Sequence, residues 1–191
     1  MPVIFSPEGM VEQVLKNPAT ALNKEICASH IIKVWEAVSG YIIQQLCKGR
    51  AVRIDHLAII TFKVKTVEMS QREVMIQKVP HILLSAEIEK RHGLKIKRPV
   101  YNLDVPEVDL NLSTIALCTN LTRAHVEYCI DEIICAFNRA LMCDPQVEFW
   151  FPKIGRVVIQ CADVDVVFAT SFLNLLGYSD EFVQDKACPL R

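Results

Sequence analysis

Histidine and cysteine are the side chains here that could hold a metal, attack a carbonyl or move a proton, and the chain has five and eight of them. His30, His56, His81, His92 and His125 are scattered along the sequence, and none lies beside a candidate nucleophile in a recognisable motif. Cys27, Cys47, Cys118, Cys129, Cys135, Cys143, Cys161 and Cys188 contain no CxxC pair. Most sit inside apolar segments, so the expectation is reduced thiols acting as small core residues. Asp104, Glu107 and Asp109 form an acidic run without the spacing or the glycine of a calcium loop, and they read as solvated carboxylates. His92 precedes Gly93, where an imidazole at a helix end can meet the dipole. No phosphate-binding loop, dinucleotide fingerprint or G-x-S-x-G is present. No catalytic, cofactor or metal residue is therefore assigned, and an enzyme is not expected.

Charge supplies the remaining chemistry. Before and including Lys97 there are 14 basic and 9 acidic residues, and after it 7 and 13, so the halves carry about +5 and −6. That asymmetry can draw the halves together or orient the chain on a charged surface. Lys63, Lys65, Arg72 and Lys78 concentrate positive charge in one stretch, although Glu68 and Glu73 lie among them.

The elements that carry these residues are written in the apolar spacing. Pro7 to Asn17 predicts a short helix that Pro18 ends, and Asn23 is a candidate cap for a long helix through about Cys47, closed by Gly49. Ala51 to Lys65 reads as strands, Thr66 to Glu73 as a polar loop, and Val74 to Leu84 as the return strand. Ser85 caps a short helix that Gly93 stops. Between Lys97 and Asn111, Pro99 and Pro106 exclude helix and leave an extended, glycine-free connector. Beyond it, Thr122 caps a helix ending near Met142, and Val147 to Ile159 supplies strands. Ala162 and Asp163 make a tight turn, Val164 to Phe168 returns, and Ser171 to Leu176 is a last helix before Gly177.

This order is one pattern written twice. Ile31, Trp35, Val38, Ile42 and Leu46 step by four, three, four and four, and Val126, Ile130, Ile133, Phe137 and Leu141 repeat those steps 95 residues later. The same offset carries Val52 onto Val147 and Ile54 onto Phe149. It grows to 97 after Phe151 and Pro152, a local insertion, and falls to 84 by Gly93 and Gly177. The second hairpin is thus about 13 residues shorter than the first.

The segment Val52-Arg53-Ile54-Asp55-His56-Leu57-Ala58-Ile59-Ile60 resembles V-x-I-x-G-F-G-T-F, the strand motif of bacterial HU and IHF proteins, and Lys153-Ile154-Gly155 stands at G-F-G in the second copy. The resemblance is closer to the tandem HU-like domains of the coiled-coil domain-containing protein 81 family. It runs through the Trp35 to Leu46 helix, Gln77-Lys78 with Pro80, and His92-Gly93-Leu94-Lys95. It continues through Val105-Pro106 to Leu110-Asn111, and Val147-Glu148-Phe149 with Ile154-Gly155. Nearly the whole chain is covered, and a short form without the coiled-coil tail is the expectation.

The resemblance implies an α+β fold of two tandem HU/IHF-like domains, each with helices, a small antiparallel sheet and a hairpin arm. The divisions are residues 1–97, a connector at 98–111, a second domain at 112–180 and a tail at 181–191. HU completes its core by dimerising, so the copies are expected to pair within the chain as a pseudo-dimer; the rival is two beads in a row. The family's association with centrosomes, basal bodies and cilia implies a non-enzymatic scaffold of the axoneme. Its expected partners are tubulin and other microtubule-associated proteins, with the basic first domain toward acidic tubulin. HU arms hold DNA with paired basic ribbons and a proline wedge. Here no proline occupies the first tip, and the second hairpin carries Asp163 and Asp165. Architectural DNA binding is therefore the alternative and not the expectation. Met1 to Pro7 lacks the pattern of a signal peptide, and no apolar run approaches the roughly 18 residues of a membrane helix. A cytoplasmic, cytoskeletal location is the expectation.

Overall fold

A computed structural model describes residues 2–20, 26–70, 73–96 and 105–178, with the backbone alone over 65–70 and 73–77. The first copy runs β1 (Val3–Phe5), α1 (Pro7–Leu15), α2 (Ala28–Cys47), β2 (Ala51–Ile54), β3 (Ala58–Ser70), β4 (Glu73–Leu84) and α3 (Ala86–His92). The second runs β5 (Glu107–Asp109), α4 (Leu112–Thr119), α5 (Arg123–Cys143), β6 (Gln146–Phe151), β7 (Gly155–Gln160), β8 (Asp163–Phe168) and α6 (Thr170–Leu175).

Local chemistry sets the helix ends. Ser6, Ser85, Asn111 and Thr122 each accept a hydrogen bond from the backbone N–H three residues on, at 3.1, 3.3, 3.1 and 3.1 Å. Gly93 ends α3 in the left-handed conformation at φ 62°. The helix α2 begins after Cys27, whose N–H is accepted by the His30 ring at 3.3 Å. Asn23, expected as its cap, lies outside the described residues, as do residues 97–104 of the connector.

Two expectations change. Thr66 to Ser70, expected in a polar loop, continues β3, which pairs Thr66 with Ile76, Val67 with Met75 and Glu68 with Val74, and Glu73 already belongs to β4. Beyond Ile60 the ladder has two strands among the described residues, so the alternation that marks a strand with one buried face is not required there. The tight turn of the second hairpin lies one residue earlier than expected, at Cys161 and Ala162 with φ 50° and 71°, and Asp163 already belongs to β8. Two successive positive φ values match the twist of a two-residue hairpin.

Each copy lends a strand to the other. The first sheet has the order β4-β3-β2-β5 and the second β1-β6-β7-β8. β1 runs parallel to β6 with Val3 opposite Val147, and β5 runs parallel to β2 with Val108 opposite Val52. The strand before each copy's first helix thus completes the sheet of the other copy. Ser6 and Asn111 cap the helices that follow, 105 residues apart, against 95 for the long helices. The link between the helices is therefore ten residues longer in the first copy. Packing follows the same two-fold logic: α1 lies on α2 and α5, α4 lies on α5 and α2, and the long helices meet each other. The result is one contiguous hydrophobic core containing Phe5, Trp35, Ile42, Phe137, Phe149 and Leu173. The copies form an intramolecular pseudo-dimer.

Aromatic rings close one of the two junctions. Trp35 of α2 packs at 5.4 Å on both Phe149 and Phe151 of β6, Phe5 meets Phe137 and Phe149 at 5.9 and 5.5 Å, and Phe137 meets Phe149 at 4.6 Å. The indole N–H of Trp35 donates to the carbonyl of Trp150 at 2.8 Å, where β1 has already ended. Trp35 is 1% exposed, so the hydrogen bond and ring contacts are made out of water and tie the copies together.

Candidate interaction surface

HU-type function would reside in the two hairpins and the outer faces of the two sheets. In the first copy, β2 pairs with β3 only from Ala58 to Ile60, so from Thr61 onward β3 and β4 project as a two-stranded arm. Pairing persists to Ser70 and Glu73, with a bulge between Glu68 and Ser70 that adds local twist. Lys63 and exposed Lys78 flank the arm's base and Lys65 follows on β3; Arg72 lies outside the described residues. The first copy thus has an arm of the right kind.

The second hairpin is different in length, sign and attachment. It spans six pairs, from Gly155 opposite Phe168 to Gln160 opposite Asp163. Gly155 is required where it stands, since a Cβ there would lie 2.2 Å from the Val167 carbonyl oxygen and its φ is 151°. Along β6 the residues Val147, Phe149 and Phe151 face the core, which turns Glu148 and Trp150 outward beside Arg156 of β7 and Asp163 and Asp165 of β8. Arg156 is already engaged, 3.4 Å from Glu148 and with its guanidinium 5.5 Å from the centre of the Trp150 ring. The outer face is therefore acidic where a phosphate backbone would need cations.

The hairpins are also held by each other's copies. The N–H of Lys95, just past α3, donates to the Ala162 carbonyl at 2.7 Å, and Lys95 bridges to Asp163 in parallel. In return the Tyr178 hydroxyl, just past α6, donates to the Lys78 carbonyl at 2.6 Å; burial pushes that phenol up to about 12. The tip of the second hairpin is thereby tied down on the first copy instead of projecting.

Between the edge strands β4 and β8 lies a cleft of about 210 Å³, lined by His81, Lys63, Ile96, Val164, Asp165 and Phe168, among others. His81 is 9% exposed and its Nε2 has no hydrogen-bond partner. Burial, and then the nearby Lys63 charge, lower its pKa to about 4, so the ring is neutral at physiological pH. With no nucleophile or carboxylate bonded to it, this histidine lacks the orientation of a general base.

The remaining candidate residues take structural places. His56 sits in the β2–β3 turn at φ 60°, and its Nδ1 lies 3.1 Å from Glu87, which also pairs with Arg91 at 2.6 Å. The His56 hydrogen bond and the Arg91 charge hold the Glu87 carboxyl below its usual range. His92 meets Asn138 of α5 at 2.9 Å, so its ring links the copies as well as standing in the last turn of α3. Glu107 and Asp109 are exposed, as solvated carboxylates should be, and both also ion-pair with Arg53 at 3.0 and 2.8 Å; Asp104 lies outside the described residues. The cysteine expectation also fails: of the seven described, only Cys129 is buried, and Cys27, Cys47, Cys118, Cys135, Cys143 and Cys161 are exposed. Cys47, Cys118, Cys135 and Cys143 lie on the solvent-facing sides or last turns of helices, Cys27 stands just before α2, and Cys161 occupies the β7–β8 turn. Among the described residues no group of histidine, cysteine and carboxylate side chains is arranged to hold a metal. No described helix is long and apolar enough to cross a membrane.

Sequence spacing did not reveal the reciprocal strands. The signal was there in Val3-Ile4-Phe5 and Val108-Asp109-Leu110, each just before a capped helix, but three residues are too few for periodicity to register. Two family descriptions match the chain in the same order as these units. CCDC81 eukaryotic HU domain 1 matches residues 9–96 and CCDC81 eukaryotic HU domain 2 matches residues 106–180. With both domains present in tandem over most of its length, the chain belongs to the CCDC81 eukaryotic HU-domain family.

Proposed function

We propose that this protein is a non-enzymatic scaffold of the ciliary or flagellar axoneme, held on doublet microtubules by protein contacts. The observation that supports protein over DNA as the partner is the second hairpin: six pairs long, carrying Asp163 and Asp165, and bonded at its tip to Lys95 of the first copy. A clamp needs two basic arms that move onto phosphates, and a tethered acidic arm opposes both requirements. The fused, exchange-stranded core suits a part that must keep one shape between neighbours. The family resemblance supplies the cellular setting, and the excess of cations in the first half suits acidic tubulin.

The first arm is the feature that favours the second reading, an HU/IHF-like DNA-bending protein, because its ribbon is long and carries Lys63, Lys65 and Lys78. Localisation separates the two. An endogenously tagged protein is expected to stay with axonemes after detergent extraction and to leave with the tubulin when doublets are dissolved. Nuclear signal, or complete release into the detergent fraction, would overturn the axonemal reading.

A further inference from the structure

The aromatic junction around Trp35 has a counterpart in the other copy that is built from smaller residues. The 95-residue offset relates Trp35 to Ile130, Phe137 to Ile42 and Phe149 to Ile54, and the 105-residue offset relates Phe5 to Leu110. The first set closes on itself ring against ring. The second leaves a groove of about 310 Å³ whose apolar floor is Ile54, Leu110, Leu112, Ile130 and Ile134. Replacing rings by aliphatic branches at corresponding places removes volume that the backbone does not collapse to fill. A second hollow of about 330 Å³ continues along α5 and shares His56, Asp131 and Ile134 with the first.

Negative charge rims this groove. Arg53 is taken up by Glu107 and Asp109, and Arg91 by Glu87, whereas Asp55, Glu127 and Asp131 make no ion pair among the described residues. Asp131 is held above its usual range by partial burial and then by the Glu127 charge, with His56 opposing. Asp55 is the counterpart of Trp150, whose carbonyl receives the indole N–H in the filled junction.

We propose that this groove docks a segment of a partner protein bearing one aromatic anchor flanked by lysine or arginine. The chain itself shows the occupant's chemistry at the related junction, where a tryptophan fills the same relative position, and the acidic rim selects the flanking cations. Acidic tubulin tails do not fit that rim, so the groove serves a neighbour other than the surface facing the basic half. The inference goes beyond the scaffold reading and stands or falls apart from it, since peptide binding by the purified chain does not depend on where the protein resides in a cell.

The test is a titration of the isotopically labelled full chain with the blocked tripeptide Lys-Trp-Lys, with Glu-Trp-Glu and Lys-Ala-Lys as comparisons, read by amide chemical shifts. Saturable shifts at Asp55, His56, Leu112 and Ile134 are expected at millimolar Lys-Trp-Lys, with both comparison peptides weaker by about tenfold. Asp131→Asn with Glu127→Gln, two exposed positions, should weaken Lys-Trp-Lys by about three- to tenfold and leave Glu-Trp-Glu no weaker. Ile130→Trp should fill the groove and abolish the shifts; if it does not fold, the charge variant decides. Equal or tighter binding of Glu-Trp-Glu, shifts confined to another surface, no saturable shift, or indifference to the charge variant would each overturn the proposal.

Discussion

Substitution of Trp35 by phenylalanine tests whether the two copies are one folding unit. The indole N–H donates to the Trp150 carbonyl at 2.8 Å in a place where the side chain is 1% exposed. Phenylalanine keeps a ring against Phe149 and Phe151 but removes that donor from the part-buried Trp150 carbonyl, at a cost of about 1–3 kcal/mol. The smaller ring also leaves part of the Trp35 space empty, adding about 1 kcal/mol. Together these predict a loss of about 2–4 kcal/mol, and for a chain of this length a fall in Tm of about 5–15 °C. The assay is equilibrium urea unfolding followed by far-UV circular dichroism and by the fluorescence of Trp150, the one tryptophan that remains. One coincident transition with a lower midpoint and an unchanged slope is expected, because the hydrogen bond joins α2 of one copy to β6 of the other. Two separable transitions, with the variant moving only one of them, would refute a shared core. A shift below about 0.5 kcal/mol would refute the role given to the indole.

Four further outcomes follow from the same geometry. The purified chain should show no salt-sensitive binding to duplex DNA near physiological ionic strength; submicromolar retention of a duplex that weakens steeply with added salt would show that the first arm suffices. Folding lowers the pKa of His81 from 6.5 to about 4, so the unfolded chain binds that proton first. Its contribution is therefore complete above pH 6.5, is lost as the pH falls toward 4 by up to about 3 kcal/mol, and levels off below. Lys63 and Asp165 line the same cleft, and His81→Leu should flatten that part of the stability profile measured by denaturant titration across pH. Gly155→Ala should destabilise by about 2 kcal/mol or more through its clash with the Val167 carbonyl, whereas Gly40→Ala, with open space around its Cβ on α2, should stabilise by about 0.5–1 kcal/mol; chemical denaturation reads both. The six exposed thiols at Cys27, Cys47, Cys118, Cys135, Cys143 and Cys161 should react with an aromatic disulfide reagent in the native protein, and Cys129, pushed up to about 12 by burial, only after unfolding.

What the sequence made legible was whatever recurs often enough to have a period. The stripes of α2 and α5 repeat every three or four residues over five turns, and the caps Ser85, Thr122 and Gly93 mark ends by chemistry that needs no tertiary partner. Thr66 to Ser70 gives no strand signal because its polar residues lack the apolar alternation of a strand with one buried face, while the pairing that makes it a strand comes from β4. Cysteine sides were misread because an apolar segment does not tell which of its residues point inward. His81, buried and with its Nε2 unpaired, differs from the four other histidines by nothing local; its place on β4, lining the cleft toward β8, sets it apart.

Pairing within one chain changes what each copy can become. In a dimer of identical chains any substitution appears on both sides of the axis, so Trp35 and Phe149 could not be aromatic at one junction and aliphatic at the other. Fusion removes that constraint, and here the two junctions have diverged while the backbone plan stayed two-fold: Trp35, Phe5, Phe137 and Phe149 against Ile130, Leu110, Ile42 and Ile54. The hairpins diverged in the same sense, one long and basic at its base, one short, acidic and bonded to Lys95. A filled junction opposite an open one, and a projecting arm opposite a tethered one, give the molecule two unlike flanks. A symmetric DNA clamp has no use for that difference, whereas the proposed scaffold, set between different neighbours, would use it.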